Sequence, residues 1–152
     1  LARRYPEMRF TIQELPVVCK IAEEYIAKEG LSGRIDTVSA DFFKDPLPRG
    51  HDAILFSNIF HDWGKDRCLH LSRRSFEALP SGGRIYLHEI LLSDTKDGPL
   101  HASAFSVCMV WVTQGKQYSA AELHQTLTEA GFEDVTITPT YGYYSLVSAR
   151  KP

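Results

Sequence analysis

Hydrophobic and polar positions along the chain switch between a period of two and a helical period. Residues 9–14 (Arg-Phe-Thr-Ile-Gln-Glu) alternate and carry β-branched side chains, which predicts a short strand. Leu15-Pro16 breaks it. Residues 17–28 read as a helix, with Val18, Ile21, Ala22, Tyr25 and Ile26 on one face and Gly30 as its stop. Residues 34–40 alternate again and lead into Asp41-Phe42-Phe43 and a loop with Pro46 and Pro48. Residues 1–5 read as the end of a helix stopped by Pro6.

The next stretch organises the rest. Residues 52–57 contain the apolar run Ala53 to Phe56, which predicts a buried, central strand. It ends in His61-Asp62-Trp63-Gly64. Residues 65–78 then repeat apolar and small residues at helical spacing (Cys68, Leu69, Leu71, Ser72, Phe76, then Leu79) up to the turn Pro80-Ser81-Gly82-Gly83. Residues 84–92 predict a nearly continuous apolar strand carrying His88 and Glu89 on opposite faces. Residues 100–112 predict an apolar helix. Ser119 and Glu122 have the spacing of a capping box that opens a further helix ending at Gly131. Residues 135–138 and 143–149 predict an antiparallel hairpin at the sheet edge. Strands alternating with helices and closed by a hairpin imply an α/β doubly wound sheet, mostly parallel.

Composition narrows the function classes. Lys plus Arg is 17 and Asp plus Glu is 19, a net charge of −2, so no basic surplus points to nucleic acid or an anionic membrane. No apolar run approaches the ~18 residues that span a bilayer. No apolar segment follows Arg3-Arg4, so the start does not read as a signal peptide. The three cysteines (Cys19, Cys68, Cys108) are odd in number and widely spaced, fitting neither a disulfide framework nor a zinc site. They predict small buried or half-buried thiols in a reducing cytoplasm.

Ligands of such sheets bind outside the carboxyl ends of the strands. Those ends present Glu14, Asp41-Phe42, Ser57 through Trp63, and Glu89. An acidic strand end can accept from ribose hydroxyls, and an Asp-Phe pair can accept from an exocyclic amine and stack on a purine. The set predicts an adenosine-shaped site. His61, after a strand and beside an aromatic, is the candidate general base. A metal site from His61, Asp62, His88 and Glu89 matches no standard spacing.

Five segments in order carry a family resemblance: Asp41-Phe42-Phe43, Ile59-Phe60-His61-Asp62-Trp63, Leu79-Pro80-Ser81-Gly82-Gly83-Arg84, His88-Glu89-Ile90-Leu91-Leu92 and Ala130-Gly131-Phe132. Together they resemble the catalytic domain of S-adenosylmethionine-dependent O-methyltransferases of the plant caffeate, acetylserotonin and bacterial polyketide-tailoring type. The resemblance implies a Rossmann-like class I methyltransferase sheet, S-adenosyl-L-methionine as cofactor and a small hydroxylated aromatic or polyketide-like acceptor. It implies His61 as catalytic base and Glu89 as the carboxylate that orients it. It implies cofactor contacts from Glu14, Asp41, Phe42, Ser57 and Trp63, and an acceptor pocket lined by Met109 and Trp111.

Three departures stand out. Ser57 replaces a frequent Lys, and Gln117 stands where plant members carry a second Glu beside the histidine. The glycine-rich loop and first central strand of the family have no counterpart, so the reading is of a partial catalytic domain. Its expected partners are a second chain that completes the sheet, or a homodimer formed through an N-terminal domain. A non-catalytic α/β module, or a C- or N-methyltransferase of the same fold, remain alternatives on sequence alone.

Overall fold

A parallel strand–helix–strand unit opens the chain in the computed structural model, which describes residues 1–152. The strands are β1 (Phe10–Glu14) and β2 (Ile35–Ser39), and α1 (Pro16–Lys28) connects them. Glu14 pairs with Ser39 in register, so both strands end together. Residues 1–49 form this compact unit and residues 50–152 form another. Pro16 lies in the first turn of α1, where its missing N–H costs nothing. Residues 1–5 form a single turn, in which the Leu1 carbonyl accepts from the Arg4 and Tyr5 amides.

The second unit carries β3 (Ala53–Ser57), a short 3-10 turn (Phe60–Asp62), α2 (Lys65–Ala78), β4 (Arg84–Ile90), α3 (Leu100–Val112), α4 (Ala120–Glu129), β5 (Glu133–Pro139) and β6 (Tyr144–Arg150). Its sheet runs β3-β4-β6-β5. β3 and β4 are parallel, while β6 is antiparallel to both β4 and β5. The α/β class and the closing hairpin are as expected, with β6 inserted inside the sheet and β5 at its edge. Ile85, Leu87, Val147, Ala149, Leu71, Leu123 and Leu127 form the buried core between this sheet and helices α2 and α4.

Two burial expectations are corrected. α1 buries Cys19 and Ile26, whereas Val18, Ile21 and Tyr25 are exposed. Cys19 and Ile26 lie seven residues apart, two turns along one face, and the larger apolar residues fall on the neighbouring stripe. The run Ala53 to Phe56 predicted a strand buried on both faces. In the structure only Phe56 is buried and Leu55 is 50 % exposed, because the strand alternates: the face shared by Ala53, Leu55 and Ser57 is open, while the Ile54 and Phe56 face packs inward. β4 alternates as well: Ile85, Leu87 and Glu89 face inward, and His88 lies on the other side.

Candidate active site

The strand ends position the site. β3 stops at Ser57, and Asn58 takes a left-handed backbone conformation (φ 57°) that turns the chain away from the sheet. Asn tolerates this region better than most side chains. The Asn58 N–H donates to the His88 carbonyl. Phe60 follows, fully buried with its ring 5.4 Å from that of Phe56, and it anchors the 3-10 turn to the core. This anchoring delivers His61 toward the carboxyl end of β4.

Glu89 meets it there. One carboxylate oxygen accepts from the Ile59 and Phe60 amides at 3.1 and 3.0 Å. The other lies 2.5 Å from His61 Nδ1. Both side chains are buried. The carboxylate fixes the tautomer: Nδ1 carries the proton and donates, leaving Nε2 as the acceptor. Burial opposes a charged ring, but the hydrogen bond and charge of Glu89, with the charge of Asp62, outweigh it and hold the imidazole above its ordinary pKa. Asp62 Oδ1 is 3.7 Å from Nε2, beyond hydrogen-bond reach. The Phe105 ring of α3 sits edge-on to the imidazole at 5.6 Å.

The other expected residues divide between the two units. In the first, Glu14 ends β1, and its carbonyl accepts from the Ala40 amide, so Asp41 and Phe42 follow at the same end of the strand pair. Asp41 Oδ1 accepts from the Phe43 amide at 2.9 Å, and Lys44 Nζ is 3.1 Å from Oδ2. Carboxylates and an aromatic at one strand end fit the hydroxyls and purine of an adenosine moiety. In the second unit, Ser57 Oγ lies 3.1 Å from His88 Nδ1, on the sheet face opposite Glu89. Trp63 follows the 3-10 turn, and the Arg67 guanidinium lies 4.8 Å over its ring.

Met109 and Trp111 do not share a position. Met109 is buried, while Trp111 is 88 % exposed and lines an open cleft of about 420 Å³ with Leu92, Ser106 and Val110. Two residues along a helix point in nearly opposite directions, which separates them. Gln117 is fully buried and its side-chain amide makes no hydrogen bond, so Glu89 is the carboxylate that holds the His61 ring. Sequence reasoning missed Cys68, Gly115 and Tyr118, which surround the His61 turn. None carries a signal in one dimension, since a thiol, a glycine and a phenol all read as packing.

This arrangement, a strand-end histidine locked by a buried carboxylate on a parallel strand pair, is that of an α/β group-transfer domain. Residues 1–133 match the O-methyltransferase domain family, and the chain belongs to that family. It is similar to the 3-hydroxy-5-methyl-1-naphthoate 3-O-methyltransferase of Streptomyces sahachiroi, at 44 % identity over 135 residues, 89 % of this chain and 39 % of that protein. It resembles human N-acetylserotonin methyltransferase in complex with SAM, with a TM-score of 0.91 at 32 % identity, over 99 % of this chain and 42 % of that one. It also resembles an O-methyltransferase family 2 protein from Planctomyces limnophilus in complex with apigenin, with a TM-score of 0.95 at 32 % identity, over 99 % of this chain and 46 % of that one. The chain spans about two fifths of the length of the curated relatives it matches. No helix is long and apolar enough to cross a membrane.

Proposed function

We propose that the protein is an S-adenosylmethionine-dependent O-methyltransferase that methylates a hydroxyl of a small aromatic or polyketide-like metabolite. His61 is its general base. The observation that carries this reading is the 2.5 Å contact between His61 Nδ1 and Glu89, which leaves Nε2 as a proton acceptor at a strand end. Relatives named for naphthoate and acetylserotonin O-methylation support the aromatic acceptor class. In this reading the 152 residues are part of a catalytic domain, a larger homodimer or second chain completes it, and the site works in a reducing cytoplasm. Of the three cysteines, Cys19 and Cys68 are buried as expected, whereas Cys108 is exposed on α3.

When bound, S-adenosylmethionine supplies an electrophilic methyl group on a sulfonium. In the first unit Glu14 would accept from ribose hydroxyls, and Asp41 and Phe42 would hold the adenine; in the second, Trp63 and the Ser57 backbone are the proposed cofactor contacts. His61 Nε2 takes the proton of the acceptor hydroxyl as the oxygen becomes a nucleophile. A phenol is a weak nucleophile until it is deprotonated, and a positioned base contributes about 10²- to 10⁴-fold. Glu89 steadies the imidazolium that results. The rest of the acceleration comes from alignment of oxygen and methyl.

The test is transfer of a labelled methyl from S-adenosylmethionine to a panel of hydroxylated naphthoates and indoles. Product bearing a new aryl methyl ether supports the reading. Label on carbon or nitrogen, or cofactor binding without transfer to any acceptor, counts against it.

A further inference from the structure

The hydrogen bonds that hold the backbone of the His61 turn come from two sides. The amides of Ile59 and Phe60 go to Glu89. The carbonyls go to a different set. The Cys68 thiol donates to the Phe60 carbonyl at 3.2 Å. The Gln114 amide donates to the Asp62 carbonyl at 3.1 Å. The Tyr118 hydroxyl donates to the Trp63 carbonyl at 2.6 Å, while Cys68 Sγ approaches the same oxygen at 3.4 Å. Between Gln114 and Tyr118, Gly115 lies directly against the turn. A Cβ built there would stand 2.0 Å from the His61 carbonyl oxygen and 2.6 Å from the Trp63 nitrogen. The Leu92 amide donates to the Tyr118 carbonyl, and Leu92 bridges to Ser119, which ties the segment to the chain just beyond Glu89.

We propose that Tyr118 is a positioning residue for the methyl-transfer reaction, holding the His61–Trp63 turn from its carbonyl side while Glu89 holds it from its amide side, with Gly115 giving the close approach this needs. This rests on the reading of His61 as the base. Tyr118 and Cys68 are both buried. Burial, reinforced by the neighbouring thiol, raises the Tyr118 phenol above its ordinary pKa, and burial pushes the Cys68 thiol up to about 12. Both therefore stay protonated across the working range and remain donors. Without the Tyr118 hydroxyl the carbonyl side keeps only Cys68 and Gln114, and a displacement of about 1 Å at a base costs on the order of 10²-fold in rate.

The titratable groups that face the His61 ring or its turn are Glu89 from β4, Asp62 from the turn, Cys68 and Arg67 from α2, the latter over the Trp63 ring, and Tyr118 itself. Phe105 faces the ring from α3 without charge. A change in the ring's titration on removing the Tyr118 hydroxyl therefore reports on how firmly Glu89 holds it.

The experiment compares Tyr118→Phe with wild type in the intact protein. Three quantities are read: kcat and KM for acceptor and S-adenosylmethionine, the thermal midpoint, and the His61 ring titration by ¹⁵N NMR, assigned with His61→Gln. The expected result is a fall in kcat of about tenfold, with KM values within about threefold. The His61 midpoint moves to lower pH as the Glu89 contact loosens. Gly115→Ala, which forces the turn outward, gives the same two changes more strongly. A lower thermal midpoint with unchanged kcat and unchanged His61 titration makes Tyr118 merely structural and overturns the proposal. If wild type transfers no methyl group but Tyr118→Phe still shifts the His61 midpoint, the turn is held as inferred and the reading of His61 as base is what fails.

Discussion

Glu89 Oε2 stands 2.5 Å from His61 Nδ1, and the opposite oxygen of the same carboxylate accepts two backbone amides from the residues just before the histidine. One side chain thus fixes both the ring and the turn that carries it. Glu89→Gln keeps the shape but loses the charge and half the acceptor capacity. The expected outcome is a fall in kcat of about 10²-fold, with the acidic limb of the pH–rate profile moving to lower pH. Glu89→Ala leaves two buried amides unpaired. It should cost about 2–6 kcal/mol in urea unfolding, from roughly 1–3 kcal/mol for each unsatisfied group.

Stability should follow the same pair through neutral pH. His61 has a folded pKa above its ordinary 6.5 because Glu89 and Asp62 outweigh burial. The protonated ring therefore stabilises the fold fully below about pH 6.5, and that contribution is lost as pH rises through the raised value. Methyl transfer runs the other way, since the base must be neutral. Chemical denaturation and kcat/KM measured across neutral pH should move in opposite directions. Glu89→Gln should flatten the first trend.

The capping box gives a prediction at acid pH. Ser119 Oγ accepts from the Glu122 amide, and Glu122 accepts from the Ser119 amide, opening α4 beside the segment that clamps His61. Burial opposes the Glu122 charge, but hydrogen bonds from Lys116 and Lys96 and from the Ser119 amide outweigh it and hold the carboxyl at about 2. Its contribution is present above about pH 4.5 and is lost as pH falls toward 2. The lysines are substantially exposed, so salt should weaken the effect. Ser119→Ala should cost about 1 kcal/mol in thermal or urea unfolding at neutral pH.

A substitution at Asp41 should separate cofactor binding from base catalysis. Its turn is built by its own side chain, which accepts from the Phe43 amide. Asp41→Asn can still accept that amide but loses the charge. Calorimetry should show S-adenosylmethionine affinity reduced by about tenfold, roughly 1.4 kcal/mol. Ser57→Ala, whose hydroxyl faces His88 on the other side of the sheet, should leave that affinity within about twofold.

Much of this was legible in one dimension because local chemistry and tertiary role agree. The helical spacing from Cys68 to Leu79 predicted a buried face of α2, and the Ser119–Glu122 pair predicted a cap that the fold makes in full. His61 and Glu89 lie 28 residues apart, yet the ends of consecutive parallel strands bring them together, so their pairing followed from topology. What stayed hidden depends on neighbours. The apolar run Ala53 to Phe56 says nothing about how many strands flank it, and α1 shows Val18 and Tyr25 to solvent because burial follows what is packed against a helix face. Met109 and Trp111 share an element but not a side of it. The grip of Tyr118 on the Trp63 carbonyl joins residues 55 apart through a main-chain atom, and no side-chain pattern encodes such a contact.

His61→Gln tests the role of His61 as base most directly. Single-turnover methyl transfer to a hydroxylated aromatic acceptor, with S-adenosylmethionine affinity measured on the same sample, separates chemistry from binding. With His61 as base, the transfer rate falls about 10²-fold or more, with cofactor affinity unchanged within about twofold. A variant that still transfers at the wild-type rate would contradict that role, because the base would then lie elsewhere and the Glu89–His61 contact would serve the fold alone.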